Sequence, residues 1–240
     1  MKKYKTEMHC HSWPVSRCAV HKPEEIVEQY LEFGYSTVVL TEHLNDYTFS
    51  GMDHKTLEEK MDYYLTGYRN LKKAAGERLN ILLGAEVHFA GMGDSDFLIY
   101  GADEEFFMKN ADIYLHDHWR NGAHIRNNGL LLFQAHPFRY RQMLCPVECL
   151  AGIEVYNGHP EQNSHNRMAQ HWHEEYPHLI AISGSDHHDP WQYPDAGILT
   201  DEPITSNEQL VEILKSGNFE LIRDDETRNK CIEDIKNAQH

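Results

Sequence analysis

Short apolar runs of strand length alternate along the chain with longer stretches whose apolar residues recur every three or four positions. The first pattern reads as buried strands, the second as helices with one face turned to a core. Residues 3–8 form the first strand and 12–21 a loop. Lys22-Pro23-Glu24-Glu25 then opens a helix: proline suits the first helical position, and the two carboxylates suit the positive end of the helix dipole. Ile26, Val27, Tyr30 and Leu31 form its apolar face, and Gly34 stops it. Residues 37–41 are a β-branched strand. A helix over 55–76 carries a stripe of Leu57, Met61, Tyr64, Leu65, Tyr68 and Leu71. Strands follow at 81–85, 97–100, 130–133, 153–156, 179–182 and 219–222. Helices lie between them over 104–128 and 161–175, and from an Asn207 cap to Lys215. Residues 224–240 are charged and read as a surface helix or a frayed tail.

Strand and helix thus alternate about seven times, which predicts an α/β fold built of parallel βα units. Closed into a barrel, such units set the residues that follow each strand on one rim. An open doubly wound sheet would gather mainly those at its switch point.

Composition narrows this further. A chain of 240 residues with 40% apolar content and no linker-like or repeated stretch is expected to form one domain over 1–240. The formal net charge of −16 comes with no basic stripe, so general nucleic-acid binding is disfavoured. That field also repels an anionic substrate at long range, unless bound divalent cations reverse it locally. No apolar run follows the basic Met1-Lys2-Lys3-Tyr4-Lys5, so neither a signal peptide nor a membrane span is expected. Five irregularly spaced cysteines argue against a disulfide framework and suit the reducing cytoplasm. Cys145 and Cys149 stand too isolated to read as a zinc site.

The candidate chemistry lies at the strand ends. In His9-Cys10-His11 the two imidazoles of an extended backbone point to one side and can close on one metal ion, while Cys10 faces the opposite way. With 18 histidines in the chain, one such pair also arises by chance. Glu42-His43, Glu86, His136 and Asp186-His187-His188 repeat the theme after other strands. His187 should point away from its neighbours, and Asn157 either contacts a ligand or caps the next turn. His54, His124, His159, His165, His171, His173 and His178 read as surface residues.

The ordered set His9-Cys10-His11, Pro23-Glu24-Glu25-Ile26-Val27, Thr41-Glu42-His43, Gly84-Ala85-Glu86, Ala135-His136-Pro137-Phe138-Arg139, Glu154-Val155-Tyr156-Asn157-Gly158 and Gly184-Ser185-Asp186-His187-His188 resembles the polymerase-and-histidinol-phosphatase (PHP) family of metal-dependent phosphoesterases. The resemblance implies a distorted (β/α)7 barrel with one to three divalent ions (zinc, manganese or iron) at the C-terminal rim of the strands. By position, His9, His11, Glu86 and Asp186 resemble ligands of a first metal. Glu86 bridges to a second metal that also takes His136, and His43 and His188 resemble ligands of a third. Two positions depart from the family pattern. After the first His-X-His the loop offers Cys18 and His21, and the remaining second-metal ligand falls to Asp96, with His88 and His116 as rivals.

The expected reaction is hydrolysis of a small phosphomonoester, as in a histidinol phosphatase, by a metal-activated hydroxide. Arg139, three residues after His136, is the expected phosphate anchor, with Arg17 and Arg141 as alternatives. His188 or a metal-bound water protonates the leaving oxygen. The alternatives are a metal-dependent amidohydrolase, which commonly carries a bridging strand-end lysine where Glu86 stands here, or a non-catalytic metal-binding regulatory module.

Overall fold

The computed structural model describes residues 3–238; Met1, Lys2 and the last two residues of the expected tail lie outside the described residues. In chain order the elements are β1 (Tyr4–Cys10), α1 (Pro23–Glu32), β2 (Tyr35–Leu40), β3 (His43–Leu44), α2 (Leu57–Ala75), β4 (Asn80–Leu83), β5 (Ala85–His88) and β6 (Asp96–Tyr100). There follow α3 (Glu104–Lys109), α4 (His118–Asn127), β7 (Leu131–Gln134), β8 (Gly152–Asn157), α5 (Asn166–Glu175) and β9 (Ile180–Gly184). Last come β10 (Ala196–Thr200), α6 (Asn207–Ser216), β11 (Glu220–Arg223) and α7 (Asp225–Ala238).

One sheet has the order β11-β10-β1-β2-β4 and the other β3-β5-β6-β7-β8-β9. Chain segments cross from the first to the second where β2 runs on into β3 and β4 into β5. At the far side the His11 amide donates to the His187 carbonyl at 2.9 Å and the His187 amide to the His9 carbonyl at 3.3 Å, which brings the end of β9 beside β1. Seven strand positions therefore run around a distorted ring: β1, β2/β3, β4/β5, β6, β7, β8 and β9. Met8, Val39, Leu82, Leu98, Phe133 and Ile182 pack as one cluster inside it, and Leu210 and Leu214 of α6 join them from the end away from the ligand-bearing loops.

The βα repetition is less regular than the apolar pattern predicts. β6 runs antiparallel to both neighbours and follows β5 through the loop 89–95, which holds no helix. The 135–151 connection holds only one short turn of 3-10 helix. The stretch 104–128 breaks in two because a second capping residue interrupts it: Asp103 accepts from the Phe106 amide at 2.7 Å, and Asp117 from the Trp119 amide at 2.9 Å. The helix expected from 161 starts at Asn166. β10 has no counterpart in the apolar pattern; its Gly197, at φ +132°, lies so close to the Thr6 carbonyl that a Cβ would collide with it. The charged end is the helix α7, and Asp224 accepts from the Thr227 amide at 3.0 Å at its start.

Candidate metal centre

Four strand ends deliver the central side chains. His9 is near the end of β1 and His11 just beyond it; Glu86 is on β5, His136 follows β7, and Asp186 and His188 follow β9. All six are buried. His9 Nε2 lies 3.2 Å from Glu86 Oε1 and 3.4 Å from Asp186 Oδ1. His11 Nε2 lies 3.3 Å from Glu86 Oε2 and 3.4 Å from the same Asp186 oxygen. His136 Nε2 is 3.0 Å from Glu86 Oε1, and His43 Nδ1, on β3, is 2.8 Å from Glu86 Oε2. Glu86 is thus the hub, with imidazoles on both carboxylate oxygens.

This donor set fits divalent cations. The Nε2 atoms of His9 and His11 are buried and make no hydrogen bond of proper geometry, although carboxylate oxygens stand beside them. Such unsatisfied buried atoms are costly unless something else fills the space between them. Three overlapping groups have ligand atoms within 4.8 Å of one another: His9/His11/Glu86, His9/His136/Asp186 and Glu86/Asp96/His136. A fourth, His11/His43/His188, reaches toward the surface, where the Nε2 atoms of His43 and His188 face each other at 3.5 Å. Imidazole and carboxylate together suit zinc, manganese or iron.

Electrostatics keep the hub ionised. Burial would raise both the Glu86 and Asp186 carboxyls, but His9 and His43 around Glu86, and His9 and Arg139 around Asp186, hold both well below the carboxylate range. Burial lowers His11, reinforced by His188 and His43 beside it. His136 (φ +27°) and Asp186 (φ +52°) adopt the left-handed backbone region, which side chains other than glycine rarely enter. Two of the central residues therefore hold strained backbone to point at one spot.

Outer partners fix the imidazoles. Glu154 Oε1 pairs with His9 Nδ1 at 2.9 Å, and Glu154 Oε2 accepts from the His136 amide at 2.8 Å and from Asn157 Nδ2 at 3.0 Å. His11 Nδ1 lies 3.2 Å from Ser16 Oγ, whose hydroxyl donates to Glu42; the Ser12 hydroxyl donates to Glu42 as well. Each imidazole of the His9/His11 pair is thereby backed, directly or through a hydroxyl, by a buried carboxylate that sets its orientation. Sequence reasoning missed Glu154. Its signal was position: it alternates with the core residues Ile153 and Val155, so it points into the ring.

The fold brings some of the remaining expected residues to the cluster and leaves others away from it. Asp96, at the start of β6, joins Glu86 and His136 and also pairs with His88 Nδ1 at 3.3 Å, so His88 reaches the site through it. His116 instead pairs with Asp112 at 2.9 Å, away from the cluster. Burial raises the Cys18 thiol, but hydrogen bonding to His188 and His43 overrides it and lowers it to about 6. His21 turns away and packs against His187, their Nδ1 atoms 3.5 Å apart. Arg139 Nη2 donates to Asp186 Oδ2 at 2.8 Å, Asn157 Oδ1 at 2.9 Å and Ser164 Oγ at 3.0 Å, and its Nε is buried without a partner. Arg17 binds the Thr48 and Ser50 carbonyls, and Arg141 lies over the Tyr140 ring, so neither replaces it. His188 Nδ1 is taken by the Asp186 carbonyl at 2.9 Å and its Nε2 by His43, which suits a ligand better than the expected proton donor. His159, expected at the surface, is buried, its ring centroid 5.6 Å from that of His188; it follows Asn157 and Gly158 past β8, a rim position like the others.

Comparison with known proteins points the same way as the geometry. The PHP domain family model matches residues 7–221. No curated protein matches the sequence. A two-domain protein from Bacteroides vulgatus containing a predicted PHP-like metal-dependent phosphoesterase superposes with a TM-score of 0.63 at 19% identity, over 93% of this chain and 65% of that one. PsfC from Pseudomonas syringae gives 0.67 at 13% identity, over 100% and 98%. The lesion-specific endonuclease PfuEndoQ from Pyrococcus furiosus gives 0.60 at 14% identity, over 92% and 58%. The chain thus spans less than two thirds of the first and third of these proteins. At such identities the likeness is one of fold.

Proposed function

The chain belongs to the PHP domain family, and from that premise we propose that it is a metal-dependent phosphoesterase acting on a small phosphomonoester of the histidinol phosphate kind. The observation that carries this reading is the convergence of His9, His11, His136, Glu86 and Asp186, with Arg139 seated against Asp186. His9, His11, Glu86 and Asp186 would hold one divalent ion, Glu86, His136 and Asp96 a second, and His43 and His188, with His11 beside them, a third. Such ions, zinc, manganese or iron, supply a hydroxide nucleophile at neutral pH and offset charge on the phosphoryl oxygens.

The protein's own residues do the rest. Glu154 and Ser16 hold the His9 and His11 rings in register. Asn157 and Ser164 fix the Arg139 guanidinium beside Asp186, where it would anchor the phosphate. Among the described residues no lysine stands on the rim, and Glu86, with imidazoles on both its oxygens, would take the bridging role, which disfavours the amidohydrolase reading. The net charge of −16 and the cysteines, none in a disulfide, support a small substrate and a cytoplasmic setting. No helix of the described residues is long and apolar enough to cross a membrane.

A second reading, cleavage of a larger anionic diester, draws on one observation. An open cavity of about 590 Å³ beside the site is lined by Arg167, Arg223 and Arg228, and by the Ser164 that bonds Arg139. Assays of the metal-loaded protein on an aryl phosphate monoester, a bis-aryl phosphate and an aryl amide separate the readings. We expect the monoester to turn over fastest, His9→Ala to abolish turnover, and Arg139→Ala to lower it roughly 10²-fold. Preference for the diester selects the second reading. Amide turnover alone points to an amidohydrolase, and bound metal without turnover of any substrate to a regulatory module.

A further inference from the structure

A second group of metal-binding side chains lies away from the rim. His118, the first residue of α4, meets Cys145 and Cys149 from the irregular 135–151 connection, and the ligand atoms of the three lie within 4.8 Å of one another. Both cysteines are buried and neither is in a disulfide. His118 Nδ1 is buried without a hydrogen-bond partner. The two cysteines alone, separated by three residues, carry little signal; the third donor comes from 27 residues earlier in the chain and is brought in only by the fold.

We propose that His118, Cys145 and Cys149 bind a thiophilic cation, zinc, in a structural site separate from the rim. Two thiolates neutralise a dication, so the buried assembly carries no net charge and escapes the penalty of an unpaired interior ion. Thiolate and imidazole are the donors zinc takes in proteins, and three of them leave a fourth position for water, which reaches the half-buried side of His118. The site has a mechanical sense. The 135–151 connection begins with His136 and Arg139 yet has almost no regular structure of its own. It is already tied down at several points: the Cys145 amide donates to Gln134 Oε1 at 2.9 Å, Arg126 donates to the Glu148 carbonyl at 2.9 Å, and Gly122 of α4 packs so close to Cys149 that a Cβ there would lie 2.9 Å from its carbonyl oxygen. A cation at His118, Cys145 and Cys149 clamps the far end of this segment to α4 and so steadies the end that carries the rim residues.

Cobalt(II) titration of the metal-depleted full-length protein tests this, because thiolate ligation gives a sulfur-to-cobalt charge-transfer absorption that imidazole and carboxylate ligands do not. We expect that band to plateau at the intensity of a single thiolate-bound cobalt, whatever further metal the rim takes up, to survive Cys18→Ser and to vanish in the Cys145→Ser/Cys149→Ser double variant. His118→Ala, at a half-buried helix start where folding tolerates change, should weaken cobalt binding at the thiolates at least about tenfold, as even loss of an outer partner does. The proposal is overturned by absence of the band in the parent protein, by its loss in Cys18→Ser, by a band that His118→Ala leaves unaltered, or by an intact mass showing Cys145 and Cys149 joined as a disulfide.

Discussion

Buried carboxylates at the rim and at the β9–β10 corner meet opposite fates. At the rim, Glu86 and Asp186 are as deeply buried as any group in the molecule, yet the imidazoles and Arg139 around them keep both ionised. At the corner, Asp195 is equally buried, neither of its oxygens has a partner, and burial, with Glu7 nearby, pushes it well above the ordinary aspartate value. Glu7 stands between these extremes. It accepts from the amides of Met8, His9 and Ser185, each at 2.9 Å, and from the Tyr30 hydroxyl at 3.1 Å, but burial still raises it to about 6. Neutral donors therefore soften the cost of burial without cancelling it, and only cationic neighbours reverse it. The rim is the one of these places built to keep negative charge, and a bound dication can take over the role that protons on His9 and His43 play without it.

The largest expected effect comes from removing charge at the rim. Asp186→Asn removes the negative charge that His9 and His11 share and leaves Arg139 without its anion. Metal content measured by elemental analysis should fall, and phosphoester turnover should drop to background; an unchanged metal content would break the contrast between rim and corner. Glu154→Gln keeps the shape but weakens the hold on His9, and we expect metal affinity to fall about 10–100-fold by competition with a chelator. Gly184→Ala acts on the same pair from behind, since its Cβ would strike the His9 Cβ and lie 2.7 Å from Glu154 Oε1. Overpacking of that kind costs about 1–3 kcal/mol, readable in denaturant unfolding, and should weaken metal binding alongside. A Gly184→Ala protein with parental stability would show that the His9–Glu154 contact is looser than its geometry implies.

How much of this was legible in sequence follows from what each signal depends on. The strands and helices that bury one clean face, such as α1 and α2, announce themselves by periodicity, and so do the rim residues that end apolar runs, His9, Glu86 and His136. β10 does not, because its path depends on Gly197 passing the Thr6 carbonyl, a contact that only the fold reveals. The reversal of β6 is equally silent: its apolar run 97–100 reads the same in either direction, and only its pairing with β5 across the helix-free loop 89–95 shows it antiparallel. Among polar residues the hidden ones are those whose role is to hold others. Glu154 and Ser16 look like ordinary polar positions until the fold places His9 and His11 against them. His159 illustrates the reverse error, since in so histidine-rich a chain a residue after a strand end is easily taken for surface.

The subtlest test concerns the corner. Asp195 is faced by Glu7, Arg228 and Asp224, and the repulsion and burial together outweigh the arginine. Below an unfolded-state value of about 3.9 the folded and unfolded chains both carry the proton, so Asp195 has no effect on stability there. As the pH rises, the unfolded chain ionises while the folded one stays protonated, and stability is lost progressively until the folded group also ionises at its raised value. Asp195→Asn mimics the protonated acid and removes that titration. In unfolding measurements at saturating metal, the variant should match the parent near pH 3.5 and become the more stable protein as pH approaches 7. A difference that stays constant across this range would mean that Asp195 is ionised in the folded protein, and that burial at the corner is offset by a cationic partner as it is at the rim.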